Sequence, residues 1–464
     1  MSEARVLHAE VGIVGAGPGG LAAAVELVRQ GLSVLVLDEG QQPGGQIFRQ
    51  LPPGAAALPG QEPPSHQAGH GLLAAATEHA VPVHHGATVW NVAPGRLWFE
   101  QHGQSWLLCC RHLVLATGAF DRCVPFPGWT LPGVTTAGAL QVMVRGYGVV
   151  PGRRALVVGS GPLLLPTVAT LHQAGVEVVA ALEASSRWRA LRALPAVLTN
   201  AARRREALWY ARSLLRAGVR LRWGWTVFAC EGDGRVQRAV IGKVDAEGNP
   251  RRGSERRLEV DVVGAGFGLV PSIELGQLLG CRTRYDAPRG GHCLEVDGQQ
   301  GTSVAGVYAV GEACGVGGAE VAMAEGRLAA AAIVAAVRQT PIDAALRTRV
   351  AAERRAADAM LRAFAPLPGL HRLATDDTLV CRCEDVPLAR ARAAAALHGD
   401  SLRAIKVGCR AGMGPCQGRI CGSSLQALAT GRCDVVPDLP VAQVPGKPVR
   451  SATIVDAPEP PATA

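Results

Sequence analysis

The stretch that most constrains this chain is residues 11–40, "VGIVGAGPGGLAAAVELVRQGLSVLVLDEG". An apolar run meets Gly15, Gly17 and Gly20, passes into an Ala/Leu/Val-rich segment, and a second apolar run ends on Asp38 and Glu39. Glycines at this spacing belong to a strand–turn–helix–strand unit. The first makes a tight turn, the second lets backbone approach a pyrophosphate, and the third lets helix pack closely on strand. The helix that follows aims its positive N-terminal end at the phosphates, and an acid closing the second strand accepts from a ribose hydroxyl. The candidate contacts are therefore Gly15, Ala16, Gly17, Pro18, Gly19, Gly20, Asp38 and Glu39. Such an opening commits the chain to the α/β class, a mostly parallel sheet with helices on its faces.

Three further patches point to the dinucleotide. "QQPGGQIFR" (41–49) follows the acid, "HLVLATGAF" (112–120) is a strand running into "ATG", and "GVYAVGEACGVGGAEVAMAEGRLAA" (306–330) is a strand, an acidic turn and a helix. Together they resemble the FAD-binding oxidoreductases with two dinucleotide domains, of the glutathione/thioredoxin reductase type. That resemblance adds Gly45, Gln46 and Arg49 beside the flavin ring, and Ala116, Thr117 and Gly118 at the exit from the FAD domain. It also adds Gly311, Glu312, Gly318 and Ala319 at the ribityl chain and pyrophosphate. Where the family usually has Asp, this chain has Glu312, which keeps the charge but is one methylene longer.

Residues 153–184, "RRALVVGSGPLLLPTVATLHQAGVEVVAALEA", repeat the layout with Gly159, Gly161 and a closing acid, Glu183. The third glycine position is Leu164, whose side chain must push the helix away or repack it. In the resembled family this second Rossmann-like domain holds NAD(P). Here the alternatives are NAD(P), another nucleotide such as ATP, or a retained shell that binds none. Residues 185–218 read as extra helices, 219–230 return to strand pattern, and 260–281 are expected to re-enter the first domain.

The chain contains thirteen cysteines but no CxxC, the dithiol of thioredoxin-reductase-like enzymes, so a disulfide-reductase activity is not expected. After the plausible linker "APLPG" (365–369), the spacing Cys381-x-Cys383 and Cys416-x4-Cys421 brackets two short helical patterns. Four thiolates converging from two tight turns suit a tetrahedral metal or an iron–sulfur cluster. Gly and Pro around Cys416 leave N–H groups free to point at sulfur. Cys409 reads as a bystander. The arrangement resembles the BFD-like 2Fe–2S domain (bacterioferritin-associated ferredoxin type), whose closing pair is often CxxC rather than Cx4C. Structural zinc is the alternative.

Nearly the whole chain resembles the A (alpha) subunits of opine oxidase, D-hydroxyproline dehydrogenase and hydrogen cyanide synthase type complexes. The implied organisation is an FAD-binding domain from 1–118 and 260–335, a second Rossmann-like domain at 119–259 with a helical insertion, and a helical linker at 336–377. A BFD-like 2Fe–2S domain at 378–435 and a Pro-rich arm at 436–464 follow, the last ten or so residues disordered. A beta subunit resembling D-amino-acid or sarcosine oxidase, with its own flavin, would oxidise a C–N bond, and a small third subunit is compatible. The alpha chain would pass electrons through FAD and 2Fe–2S to an acceptor such as a quinone. Rival readings are a self-contained NAD(P)H-dependent flavin oxidoreductase and a non-catalytic, cluster-bearing scaffold.

Other features exclude more than they assign. The net charge of +9 and runs such as 203–205 and 251–257 read as solvated faces. With 4% aromatic residues and no reading motif, nucleic acid is not an expected partner. His66, His70, His79, His84 and His85 read as surface or satisfied histidines. The N-terminus lacks the features of a secretory signal and no run suits a transmembrane segment, so the expected location is cytoplasmic, with any membrane association peripheral and through the complex.

Overall fold

The computed structural model describes residues 5–459 except 52–53, 55–57, 59–61, 193, 199–200 and 433–435. The opening unit folds as its pattern requires. Val6–Val14 lies at the centre of a seven-stranded sheet, paired in parallel with Val34–Asp38 on one side and Gln104–Leu115 on the other. Val83–His85 and Val307–Ala309 extend the parallel part, and Arg96–Gln101 and Thr88–Ala93 complete the sheet as an antiparallel meander. The helix Pro18–Arg29 covers one face and packs on Ala319–Arg338. Their backbones come very close: a Cβ on Gly326 would stand 2.2 Å from the Gly19 carbonyl oxygen.

The second sheet is wholly parallel, in the order Leu221–Trp223, Glu177–Glu183, Arg154–Gly159, Val262–Gly266, Val134–Thr136. Its placement corrects the expected return at 260. Val262–Gly266 belongs to this second sheet, because its apolar run pairs with Arg154–Gly159 along the full length. The chain leaves the first domain at Ala119–Asp121 and re-enters it at Leu269–Pro271, two short strands paired antiparallel at the crossing. Trp225–Glu231, Arg238–Lys243 and Arg256–Glu259 form a separate antiparallel meander. The expected extra helices stand at Arg187–Leu191, Leu194–Leu198 and Ala201–Arg216.

Residues 336–377 are not a linker in the mechanical sense. The helix Ala344–Ala363 is fastened to the first domain by two ion pairs whose partners share little water. Arg289 meets Asp358 through two bonds of 2.8 and 2.7 Å. Arg354 meets Glu325 at 2.6 Å and also donates to the carbonyls of Gly315, Val316 and Gly311. The segment "APLPG" is likewise packed: Leu367, Leu370 and Leu373 enter the core of the second domain beside Leu182 and Phe267.

The cysteine-bearing module pairs Leu379–Cys381 with Val386–Pro387 and adds the helices Leu388–His398, Leu402–Cys409 and Gly422–Thr430 around a small core of its own. It is attached to the second domain by Trp129 Nε1 donating to Leu379 O (2.7 Å) and Ser424 Oγ donating to Cys123 O (3.1 Å). The arm beyond it is extended but ordered onto the first domain. The Gln277 side chain bonds the backbone at Pro440 and Ala442, Gly446 N donates to Trp90 O, and Trp98 Nε1 donates to Pro458 O. The short helix Ser451–Val455 and the Pro458 contact correct the expected disorder up to residue 459; residues 460–464 lie outside the described residues. No helix among the described residues is long and apolar enough to cross a membrane.

Removing one partner of a buried ion pair strands the other charge, at a cost of about 3–5 kcal/mol. Arg354→Met is therefore expected to destabilise the chain on that scale, whereas Glu325→Leu combined with Arg354→Met recovers much of the loss. Thermal unfolding of both variants checks this.

Candidate functional site

The glycine loop is built so tightly that side chains are excluded from it. A Cβ on Gly15 (φ +104°) would lie 2.3 Å from Ala116 O, and one on Gly20 would lie 1.9 Å from Gly15 O. Ala116 is thus the floor beneath the turn. The "PGGQ" loop closes from the other side: Gly44 N donates to Ala16 O at 2.9 Å, and a Cβ on Gly45 would come within 2.7 Å of Gly17 Cα. Gly17 and Gly45 leave bare backbone facing each other, and Pro18 opens the helix behind them. Gly19 has a different reason to be glycine, since it meets Val310 and Ala322 in the helix packing.

The two acids are sorted by the fold. Asp38 turns to the loop, accepting from Ala16 N and, at 2.7 Å, from Gly40 N. Glu39 turns outward and pairs with Lys447 of the C-terminal arm at 2.9 Å. Gln46 and Arg49 are hydrogen-bonded to each other, and burial pulls the Arg49 pKa down. Thr117 Oγ1 donates to Ser272 O (2.5 Å), and Gly118 O accepts from Ser272 N (2.9 Å). These two therefore brace the crossing rather than stand free for a ligand.

Glu312 carries the clearest sign of a cofactor-binding contact. Its Oε1 accepts from Gly318 N at 2.8 Å, next to Ala319, which begins the long helix. Its Oε2 is buried with no hydrogen-bond partner. Burial pushes the Glu312 carboxyl upward, and the Gly318 and Gly317 N–H groups pull it back. The extra methylene lets one oxygen cap the helix while the other points into the site. An acceptor buried without a donor fits a ribityl hydroxyl, and bare glycine backbone fits a pyrophosphate. The residues present therefore fit FAD.

Sequence reasoning missed Glu325 and Arg354. Glu325 Oε2 accepts from Gly311 N at 2.8 Å, so the pair fixes the turn that carries Glu312. Among the residues of 306–330, an acid on the inward side of an otherwise apolar helix was the available signal.

The second glycine loop is narrowed by its own protein, with Ser160 at its tip lining a small cavity. A Cβ on Gly159 would meet Gly266 O at 1.8 Å, while Gly161 faces Phe364. Leu164 is buried in the core. Glu183 is only 1% exposed, and its carboxylate is taken by Gly161 N and Ser185 N, both at 2.8 Å. Burial raises its pKa.

The four module cysteines meet as two pairs. Cys381 and Cys421 share a hydrogen bond that holds the Cys381 thiol down to about 5 and drives Cys421 up; Gly412 N also donates to Cys381 Sγ at 3.4 Å. Cys383 contacts Cys416, and burial raises the Cys383 pKa. Among the described residues no three His, Cys, Asp or Glu side chains gather about one point as a single ion requires. Cys409 is buried and donates to Ile405 O within its helix.

The sequence matches the family of pyridine nucleotide-disulphide oxidoreductases over residues 9–327. It is 34% identical to the A (alpha) chain of opine oxidase from Rhizobium meliloti (strain 1021), covering 91% of this chain and 92% of that protein. It is 32% identical to the HcnB chain of hydrogen cyanide synthase from Pseudomonas aeruginosa, covering 93% and 96%. The structure is similar to L-proline dehydrogenase from P. horikoshii, with a TM-score of 0.69, 21% identity, and coverage of 98% of this chain and 81% of that one, a likeness of fold. The chain belongs to the pyridine nucleotide-disulphide oxidoreductase family, within the group formed by the opine oxidase alpha chains and HcnB, and is an FAD-dependent oxidoreductase.

Proposed function

We propose that this chain is the electron-transfer subunit of a multi-subunit dehydrogenase, whose partner oxidises the C–N bond of an amino acid or opine. The relatives are themselves subunits of oxidase and synthase complexes, and an oxidase-like flavoprotein is the matching partner. When bound, FAD supplies two-electron acceptance with one-electron release, and a 2Fe–2S cluster supplies one-electron carriage. The observation that carries the reading is the meeting of four cysteines as two pairs, on a module bonded to the flavoprotein body through Trp129 and Ser424. Glu312 Oε2 would accept from the ribityl chain, and the glycine loop would cradle the pyrophosphate. Cys381, Cys383, Cys416 and Cys421 would hold the cluster, with Gly412 N–H donating to sulfur to offset its negative charge. The final acceptor is a one- or two-electron carrier such as a quinone.

The self-contained NAD(P)H oxidoreductase has less support. It needs a second loop open to a dinucleotide, and here Phe364 stands before Gly161, Glu183 is engaged by the loop's own backbone, and the cavity at Ser160 is small. The scaffold reading does not account for the buried, unpartnered oxygen of Glu312.

Purified with its partner subunit, the chain is expected to carry iron and acid-labile sulfide in equal amounts, with flavin and cluster absorbance together. Flavin bands without iron sink the cluster assignment, and rapid flavin reduction of the lone chain by NADH sinks the subunit reading.

Cys416→Ser is expected to lose the iron and block transfer from the partner to an artificial acceptor, with flavin content unchanged. Loss of flavin as well shows that the two modules fold as one unit.

Glu312→Ala removes a charged acceptor, so flavin affinity is expected to fall about tenfold or more. The flavin-to-protein ratio after dialysis measures it, and an unchanged ratio removes Glu312 from the site.

A further inference from the structure

Arg122 is a guanidinium drawn into the protein without an acid to meet it. It follows the crossing strand Ala119–Asp121, and its Nη2 donates to the Gly290 carbonyl at 2.8 Å. No Asp or Glu among the described residues stands within ion-pair distance of it. Burial lowers its pKa, with Tyr285 the counteracting neighbour. A buried cation costs several kcal/mol unless an anion or a full set of acceptors compensates it.

Arg122 lines a cavity of about 280 Å³ where the second sheet, residues 366–371 and the cysteine module meet. Three other polar atoms there are buried and lack partners, Ser160 Oγ, His371 Nδ1 and Ser423 Oγ. They come from three different parts of the chain, and among the described residues share no bond with one another or with Arg122. Phe267 and Leu370 supply an apolar wall. The volume is at the small end of the range of ligand pockets, too small for a dinucleotide.

We propose that this cavity binds a small organic carboxylate, anchored head-on by Arg122 and hydrogen-bonded by Ser423 and His371, with its body against Phe267 and Leu370. The charge balance selects the head group. His371 is neutral, burial holding its pKa to about 4. At the rim, Arg432 is cancelled by Asp400 at 3.0 Å. One net positive charge remains, on a planar fork that matches one carboxylate. A phosphate dianion would be left under-compensated. Ser423 lies two residues beyond Cys421, so an occupant ties the cysteine module to the crossing between the two sheets.

The test is calorimetric titration of the full chain with pyruvate, and separately with inorganic phosphate, in wild type, Arg122→Met and Ser423→Ala. Saturable pyruvate binding is expected in wild type. It should weaken about tenfold or more in Arg122→Met and severalfold in Ser423→Ala, with flavin content unchanged in both. Phosphate should bind more weakly than pyruvate. Ser423→Ala alters one hydroxyl and keeps the test open if Arg122→Met fails to fold. Absence of saturable pyruvate binding, equal affinity in wild type and Ser423→Ala, or tighter binding of phosphate overturns the proposal.

Discussion

Glu325 and Arg354 hold together parts of the molecule that are far apart in sequence. The carboxylate takes one hydrogen bond from the Gly311 N–H and an ion pair from Arg354; the guanidinium also binds three carbonyls of the turn 311–316. An ion pair this deep gains little net stability over well-packed apolar residues. What it does fix is geometry. Gly311 sits at φ +70° and Gly318 at +86°, so glycines bracket the turn at both ends. With the turn pinned at its start by Glu325 and along its length by Arg354, Glu312 can cap the helix with one oxygen and present the other. The proposed cofactor contact therefore depends on a residue of the helix Ala344–Ala363, which lies outside the dinucleotide fold itself.

The two glycine motifs show how one layout reaches different ends. In both, an acid closing the second strand accepts from the loop's own backbone: Asp38 from Ala16 N, Glu183 from Gly161 N. The difference lies in what faces the loop. At the first, bare Gly17 meets bare Gly45, with no side chain between the two backbones. At the second, Phe364 stands before Gly161 and the leucines of 367–373 pack toward the sheet, leaving a cavity of about 280 Å³ beside Ser160. A motif specifies its turn locally, whereas its availability is decided by whichever distant segment the fold lays across it.

That distinction explains what could be read from the residues alone. The strand–helix–strand units, the extra helices of 185–218 and the two helices between the cysteine pairs were legible, because each rests on local periodicity and turn chemistry. The domain return was misplaced at 260 because "VDVVGAGFG" is a generic buried strand, and either parallel sheet could accept it. The segment 336–377 looked like a connector because its Ala/Arg composition shows an exposed helix, while its two inward contacts depend on distant partners, Glu325 for Arg354 and Arg289 for Asp358. The Pro-rich arm read as loose for a similar reason. Its order comes from single hydrogen bonds to Gln277, Trp90 and Trp98, and nothing in its own composition announces them.

The same tertiary contacts bear on the proposed electron transfer. A flavin and a cluster that exchange electrons without domain motion need a fixed separation, which a module joined by a floppy linker would not hold. Here the cysteine module is fixed at several points. Trp129 and Ser424 bind it to the second domain. Arg419 reaches Glu274 of the first at 2.8 Å and also the arm at Gly446. The arm in turn pairs Lys447 with Glu39, the acid adjoining Asp38 at the first glycine loop. A continuous path of bonded segments thus runs from the thiol pairs to the dinucleotide loop. In this light the outward-facing Glu39 is informative: of two adjacent acids, one braces the loop and the other anchors the arm that crosses the first domain.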